Sequence, residues 1–557
     1  MTKVYYIILV VLMAASCAKP KVDQRTGNLV SYQQVTSSRT RLVNLYGMTT
    51  LYVDGQGLTD TAFATGPDDV VNPTPTVWFP TTGRLGQTYY IPEQFFQNDT
   101  AKVAVNSFAV FAVSGGSANF SVVDNYYQPN DYYITRYRNG SPGSAELAGS
   151  DSIFAFPRAI SAATDPTHFM IRLINLSSGP DDANLLGPMS LAFADGTLVS
   201  STTNNITTGN ASSYIELPYG TYQFKVLTSD GRQVPGGSGA VGRYTAIMDQ
   251  YNVTFAPMGT YAPGGVYTIV VSATSGFSYP SVPAYTPTVE NSFQIVTDIT
   301  PAANLNYARI QAANALPATG EPLVLTVDGQ AISGPLDYDS VSDYSILPVG
   351  SHYVALQTAQ GQLLDQQLFT LNGGDNYTVW IYPDPSDRPA LLWAQNNLSG
   401  SYVVPSGDGS DNTYNVTSTN FPFWVRFLNL CPDLPYVTFT QNNGVLFPQL
   451  YGLSATCAQN LVPGEVSPQS FQYIMGIDSM RAPVLAFASQ PLVVPGDWLP
   501  DISAVPSTAF VRSPLSAYPN GIPAGEPGVY TVALTGRYGA AAKGNPAAKM
   551  IVLKHTK

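Results

Sequence analysis

Arg309-Ile310-Gln311-Ala312-Ala313-Asn314, Leu323-Val324-Leu325-Thr326-Val327-Asp328-Gly329-Gln330, Leu347-Pro348-Val349-Gly350, Tyr377-Thr378-Val379-Trp380-Ile381-Tyr382 and Ala390-Leu391-Leu392-Trp393-Ala394 punctuate the stretch from Arg309 to Asn396 and decide the fold. Each apolar run is short, alternating or β-branched, and bounded by turn residues, the pattern of a strand half-buried against a core. Asp328-Gly329 between two such runs marks a hairpin, because both residues accept the positive φ of a type I′ turn. Pro348 and Gly350 make a corner from which the next strand alternates away. The stretch reads as one small all-β unit.

The same order recurs along the chain. Opening strands that each carry an arginine occur at Thr40-Arg41-Leu42-Val43-Asn44-Leu45, Ile171-Arg172-Leu173-Ile174-Asn175-Leu176, Arg309 to Asn314 and Val425-Arg426-Phe427-Leu428-Asn429-Leu430. In three of the four an asparagine follows the arginine by three residues. Asp-Gly turns recur at Asp54-Gly55, Asp195-Gly196 and Asp328-Gly329, and Asn442-Asn443-Gly444 stands in their place in the last copy. Leu217-Pro218-Tyr219-Gly220 repeats the Leu347 corner, and every copy ends in a pair of strands, the last being Val529 to Leu534 with Lys549 to Leu553. We therefore expect an all-β chain of about four tandem antiparallel β-sandwiches of immunoglobulin-like architecture, over 37–160, 166–300, 304–398 and 420–557. The length of 557 residues agrees, since it exceeds what one hydrophobic core supports. The repeated arginine has a plain structural reading: its stem lies on the sandwich and its head pairs with a carboxylate or carbonyl.

An Arg-bearing first strand, Val327-Asp328-Gly329, Leu347-Pro348-Val349-Gly350 and Tyr377-Thr378-Val379 together resemble domain-of-unknown-function family 4397, a bacterial secreted module often found in tandem. The resemblance is fullest in the third unit, reasonable in the second and partial in the first and fourth. It implies a fold and an export habit and no reaction, because that family has no established active site.

The beginning of the chain reads as an export signal. Lys3 supplies charge, Val4 to Ala15 form an apolar core too short to span a bilayer as a mature helix, and small residues precede Cys17. Ala14-Ala15-Ser16-Cys17 resembles the lipobox of bacterial lipoproteins, with Ala14 where Leu is more usual. That resemblance implies a signal peptide over 1–16 and acylation of Cys17, so that the chain is held at the outer membrane by lipid; the alternative is an ordinary signal peptide cut near Ser16. Residues 17–36 are then a flexible tether. Some outer-membrane lipoproteins of the Bacteroidetes, the group this chain resembles, carry an acidic run after the cysteine that sends them to the cell surface. Here Ala18-Lys19-Pro20-Lys21-Val22-Asp23 offers one acid against two lysines, so the cell surface and the periplasmic face both stay open. Removing Cys17 leaves Cys431 and Cys457, an even pair in an exported chain. A disulfide between them is expected, worth about 3 kcal/mol on the loop-entropy model, with two buried free thiols as the alternative.

Charged residues make up 11% of the chain, well under the ~25% usual for soluble domains. A net charge of −12 argues against nucleic acid or an anionic bilayer as partner, because binding phosphate needs clustered Lys and Arg. Catalysis finds little support. His168, His352 and His555 are the only histidines, and none has the neighbourhood of a triad base. Gly237, Gly239 and Gly242 fall in a loop, not between strand and helix, which excludes dinucleotide binding. The acid pairs Asp68-Asp69 and Asp181-Asp182 and the run from Asp408 to Asp411 read as solvated loop acids, with a weak calcium site as the functional alternative. No cofactor and no enzymatic activity are expected. A glycoside hydrolase is the enzymatic alternative, since its two carboxylates need not be neighbours in sequence.

Departures from the third copy are where binding is expected, because recognition rides on loops held by a scaffold. An insertion from Thr59 to Ser107 brings Trp78, Tyr89, Tyr90 and Phe95, followed by Tyr126 and Tyr127; one from Cys431 to Gly528 brings Tyr436, Tyr451 and Trp498. These aromatics suit a protein partner or stacking on sugar rings, and their structural alternative is a satellite core beneath each insertion. Thr61, Thr100, Ser340 and Ser479 each follow an Asp and precede a small or apolar residue, which resembles the O-glycosylation sequon of Bacteroidetes. The expected function is a lipid-tethered rod at the outer membrane that binds or supports, as an accessory to an outer-membrane protein complex, with a surface glycan-binding protein or adhesin as the alternative.

Overall fold

The computed structural model describes residues 37–45, 48, 50–59, 85, 87–106, 117–135, 153–178, 185–236, 256–277, 287–317, 321–404, 415–442, 444–447, 455–466, 474–475, 483–491, 493–513 and 525–557. Among these the chain forms strands and short 3₁₀ turns, with no α-helix. None of its described helical segments is long and apolar enough to cross a membrane.

The strands assemble into repeated pairs of sheets, each pair enclosing its own apolar core. In the third unit one sheet runs in the order Ser345–Pro348, Tyr307–Asn314, Asn376–Pro383, Pro389–Gln395, and the other Gln330–Ala331, Leu323–Val327, Gly350–Thr358, Leu363–Leu371. The first unit repeats this with Thr88–Pro92, Ser37–Asn44, Asn130–Ile134, Ile153–Pro157 facing Gln56–Gly57, Thr50–Val53, Thr100–Asn106, Ser117–Val123. In the second and fourth units the opening strands are His168–Leu176 and Phe423–Asn429, the penultimate ones Val266–Phe277 and Gly528–Thr535, and the closing ones Pro287–Ile299 and Lys549–Lys554.

Within these sandwiches the strands are mostly antiparallel, and one sheet of each unit also holds a parallel pair. Every opening strand pairs parallel with the penultimate strand of its unit, at Arg41↔Asp131, Ile171↔Tyr267, Ile310↔Tyr377 and Val425↔Tyr530. A parallel partner requires a long crossover, and here the crossover is the entire second sheet.

Turn chemistry places the hairpins. Asp54 and Gly55 have φ of 49° and 81°, and Asp328 and Gly329 have 50° and 81°, the type I′ geometry expected of Asp-Gly. Around Asp195-Gly196 only the glycine is left-handed, at 88°, while the Asp195 carboxylate accepts from the amide and hydroxyl of Thr197.

Alternate residues of each opening strand fill that unit's core: Leu42 in the first, Ile171 and Leu173 in the second, Ile310 and Ala312 in the third, Val425 and Phe427 in the fourth. The intervening residues are buried too, against another unit. Val43, Leu45 and Tyr133 pack with Ile174, Leu176, Val270 and Val296, while Ala313, Ala315 and Trp380 pack with Leu428, Leu430 and Ala533. The first and second units therefore meet face to face, as do the third and fourth. This is why the opening strands are apolar on both faces and not half-buried. Nor are the units strung end to end as a rod. Gln223 of the second unit hydrogen bonds across to the fourth, its backbone N–H donating to the Lys557 carbonyl at 2.8 Å.

Candidate functional site

At the end of each opening strand, or one residue before it in the second unit, an asparagine locks the chain's exit. Asn175 Nδ2 donates to the carbonyls of Gly187 and Ile206 at 2.8 and 2.9 Å while its Oδ1 accepts the amide of Ser177 at 3.0 Å. Asn429 does the same with Leu434, Leu461 and Cys431, and Asn314 with Leu336 and Leu316. Asn44 bonds the Met48 carbonyl and accepts the Met48 amide.

Counting back three residues from these asparagines gives Arg41, Arg172, Gln311 and Arg426, which lie opposite Asp131, Thr268, Thr378 and Thr531 in the parallel pairs. The repeat position in the third unit is therefore Gln311, and Arg309 is displaced from it by two residues. All four side chains cross a seam between units. Arg41 Nε donates to Asp131 at 3.0 Å, and its Nη1 and Nη2 reach the Thr297 carbonyl and the Asp298 carboxylate of the second unit. Arg172 donates to Thr268 Oγ1 at 2.9 Å, to the Pro157 carbonyl of the first unit at 2.6 Å, and toward Tyr133 Oη. Gln311 Nε2 bonds Thr378 Oγ1 at 2.9 Å and His555 Nδ1, just past the fourth unit's closing strand, at 3.0 Å. Arg426 returns to the third unit through Asn396 Oδ1 and the Gln395 carbonyl. Arg309 makes a separate junction, donating to Asn376 and to the Tyr219 carbonyl of the second unit.

The first seam carries a buried quartet of Arg41, Asp131, Asp298 and Arg158, the last donating to Asp131 at 2.6 Å. Burial pushes the Asp131 carboxyl above its ordinary range against the pull of Arg41 and Arg158. From this quartet a chain of contacts runs to the surface. Arg158 lies 5.3 Å from the ring of Tyr90 and donates to the Arg39 carbonyl at 2.8 Å. Arg39 stacks 3.9 Å over Tyr126, and the Tyr126 and Tyr127 rings meet edge-on, 5.4 Å apart. Tyr90, Tyr126 and Tyr127 are 39%, 62% and 84% exposed.

The loop bearing the last two is pinned: Thr40 Oγ1 donates to Asp124 at 2.8 Å, Arg39 donates to the Tyr126 carbonyl, and Asn125 Oδ1 accepts the amides of Tyr127 and Gln128. Three of the sequence candidates are thus exposed on the first unit and linked through Arg158 and Arg39. Two others are not among them. Tyr89 packs against the first unit's main core and Phe95 is buried within it, so both belong to that core and not to a separate satellite cluster. Trp498 is exposed at the end of Val493–Trp498, far along the chain in the fourth unit, and Tyr436 is half-buried. Thr100 is exposed beside the left-handed residues Asn98 and Asp99, whereas Ser340 is half-buried with its hydroxyl donating to the Asp337 carbonyl at 2.6 Å. Cys17, Thr61, Trp78, Tyr451 and Ser479 lie outside the described residues.

The expected Cys431–Cys457 disulfide is not formed: both are free thiols. They lie in the fourth unit's core with Phe427, Phe439 and Phe447, where burial pushes them up to about 11 and about 12, and each behaves as a small apolar side chain. Of the histidines, His168 sits beside Thr167 and Asp165, His352 bonds Asp328 at 2.7 Å and the Pro348 carbonyl at 2.9 Å, and His555 is buried in the second seam. Among the described residues, no three His, Cys, Asp or Glu side chains converge as metal ligands would.

The seam was the part that sequence reasoning missed. Its signal was present, in that the opening strands carry apolar residues at both odd and even positions.

No family model matches the chain. No curated protein matches it either. Among solved structures it is similar to the Bacillus anthracis TIE protein, at 10% identity over 62% of this chain and 50% of that one, with a TM-score of 0.11. The alignment thus spans half the length of that protein, and a TM-score this low carries no argument about fold or function.

Proposed function

We propose that the chain is a non-catalytic binding component, lipid-anchored through Cys17 at the outer membrane and accessory to a protein complex there, with the Tyr90–Tyr126–Tyr127 patch of its first unit as the contact surface. The observation that carries this reading is the pairing of exposure with rigidity. Tyr126 and Tyr127 project from a loop fixed by side-chain and backbone hydrogen bonds, so little ordering entropy is lost on binding. Tyrosines interleaved with Arg39 and Arg158 have the composition of a protein-binding hot spot. Seams clamped by arginine suit a scaffold that must hold such a patch at a fixed angle.

The test is capture from gently solubilised membranes with the full chain and with a Tyr126→Ala/Tyr127→Ala variant. The reading requires a membrane protein that is recovered with the former and at least tenfold depleted with the latter. Equal recovery, or a patch-dependent affinity for polysaccharide in place of protein, overturns it. Metabolic labelling with a fatty-acid analogue, lost in Cys17→Ser, checks the anchor separately.

A further inference from the structure

The second and third units share a corner and the strand after it, and the two copies differ in what covers that strand. In the second unit its outward residues Thr221, Gln223 and Lys225 are buried. Thr221 Oγ1 donates to the Leu398 carbonyl; Gln223 bonds the Pro527 carbonyl at 2.9 Å and accepts Thr556 Oγ1 at 2.6 Å; Lys225 bonds Ser513 Oγ. The sheet face is occupied by the fourth unit and by the segment leading to it.

Position for position, the third unit places Ser351, Tyr353 and Ala355 there. Tyr353 is 58% exposed, and Leu368, directly opposite it on the neighbouring strand, is 60% exposed. Leu363 on that same strand is exposed as well, and the strand Leu363–Leu371 is the last in its sheet. The outward residues of the two strands, from Ser351 to Ala355 and from Gln366 to Thr370, include no charge. At the rim, Asp328 is held by His352 and by the Tyr353 amide, and Asp365 on the neighbouring strand lies opposite the core residue Leu356.

We propose that this face is the contact between two copies of the chain. Within the strip itself there is no charged side chain for a partner to pair with. For a molecule of net charge −12, two copies repel each other least where a surface strip carries no carboxylate, and a neutral strip centred on a Tyr–Leu pair is complementary to itself under a two-fold axis. The second unit shows that the same face of the same repeat can be covered by another β unit of this chain. Pairing through the third unit leaves the Tyr126–Tyr127 patch of the first uncovered and doubles its valency.

Sedimentation equilibrium of the full chain in density-matched mild detergent tests the proposal. The expected result is a dimer in the micromolar range that Leu368→Asp weakens at least tenfold, with circular dichroism unchanged because the position is exposed. Leu368→Cys is expected to form a disulfide with its own copy under mild oxidation. A monomer at about 100 µM, where even a weak specific contact is populated, overturns the proposal. So does a dimer indifferent to Leu368→Asp.

Discussion

His555 offers the sharpest perturbation of the seam between the third and fourth units, because one proton decides whether its hydrogen bonds can exist. Gln311 Nε2 has only protons to offer, so His555 Nδ1 accepts from it at 3.0 Å. The ring proton therefore sits on Nε2, which donates to Thr531 Oγ1 at 2.8 Å. A second proton would set donor against donor at Gln311 and bring a cation into a seam that already holds Arg426, with Lys554 adjacent in the chain; Thr378 and Thr531 are neutral. Burial, reinforced by Arg426, accordingly pushes the imidazole well below its ordinary value of 6.5. The sign follows from linkage: the unfolded chain takes up the proton near 6.5 and the folded chain does not, so the contribution is complete above 6.5 and shrinks as pH falls below it. One proton is worth on the order of 1 kcal/mol per pH unit, so the contribution falls by roughly that much for each unit below 6.5 as long as the folded form stays neutral. The assay is urea unfolding followed by tryptophan fluorescence, since Trp380 is buried in this seam, comparing the natural chain with His555→Gln at pH 7.5 and about 5.5. Carboxylate effects are common to both proteins and cancel. A stability difference between the two proteins that stays the same at both pH values would refute the reasoning.

Two further outcomes follow from the same geometry. Arg41→Met strips one partner from two buried carboxylates, Asp131 and Asp298, and is expected to cost about 3 kcal/mol in thermal unfolding; adding Asp298→Asn is expected to recover part of that. Asn429→Ala leaves the Cys431 amide and the Leu434 and Leu461 carbonyls without their side-chain partner, a loss of about 1–3 kcal/mol. Hydrogen exchange at the Cys431 amide is expected to accelerate with it.

Strand positions and hairpins were legible because they rest on local chemistry. Alternation and Asp-Gly turns are set by neighbours in the chain, and Asp54-Gly55 and Asp328-Gly329 adopt the geometry their side chains demand. The repeated arginine was legible as a residue and misread as a register. Arg309 and Gln311 are two apart on one strand and face the same side, so period-two reasoning cannot separate them; the asparagine that locks the strand exit can. Tyr89 and Tyr90 illustrate the opposite problem. They are adjacent and therefore point to opposite faces, one against the core beside Leu42 and one outward beside Arg41, and sequence alone does not say which.

What the sequence determined by itself is the all-β class, because turn formers, β-branched residues and short apolar runs leave no stretch able to sustain a helix. What only tertiary structure decided is which second face each opening strand would bury. Val43, Ile174, Ala313 and Leu428 find their partners in another unit of the chain, and Gln223 bonds a residue more than three hundred positions away. Such contacts depend on shape matching between whole sheets, which no local pattern encodes. They made the carboxylates and carbonyls that the repeated arginines pair with those of a neighbouring unit, and they linked Tyr90 to Tyr126 and Tyr127 through Arg158 and Arg39.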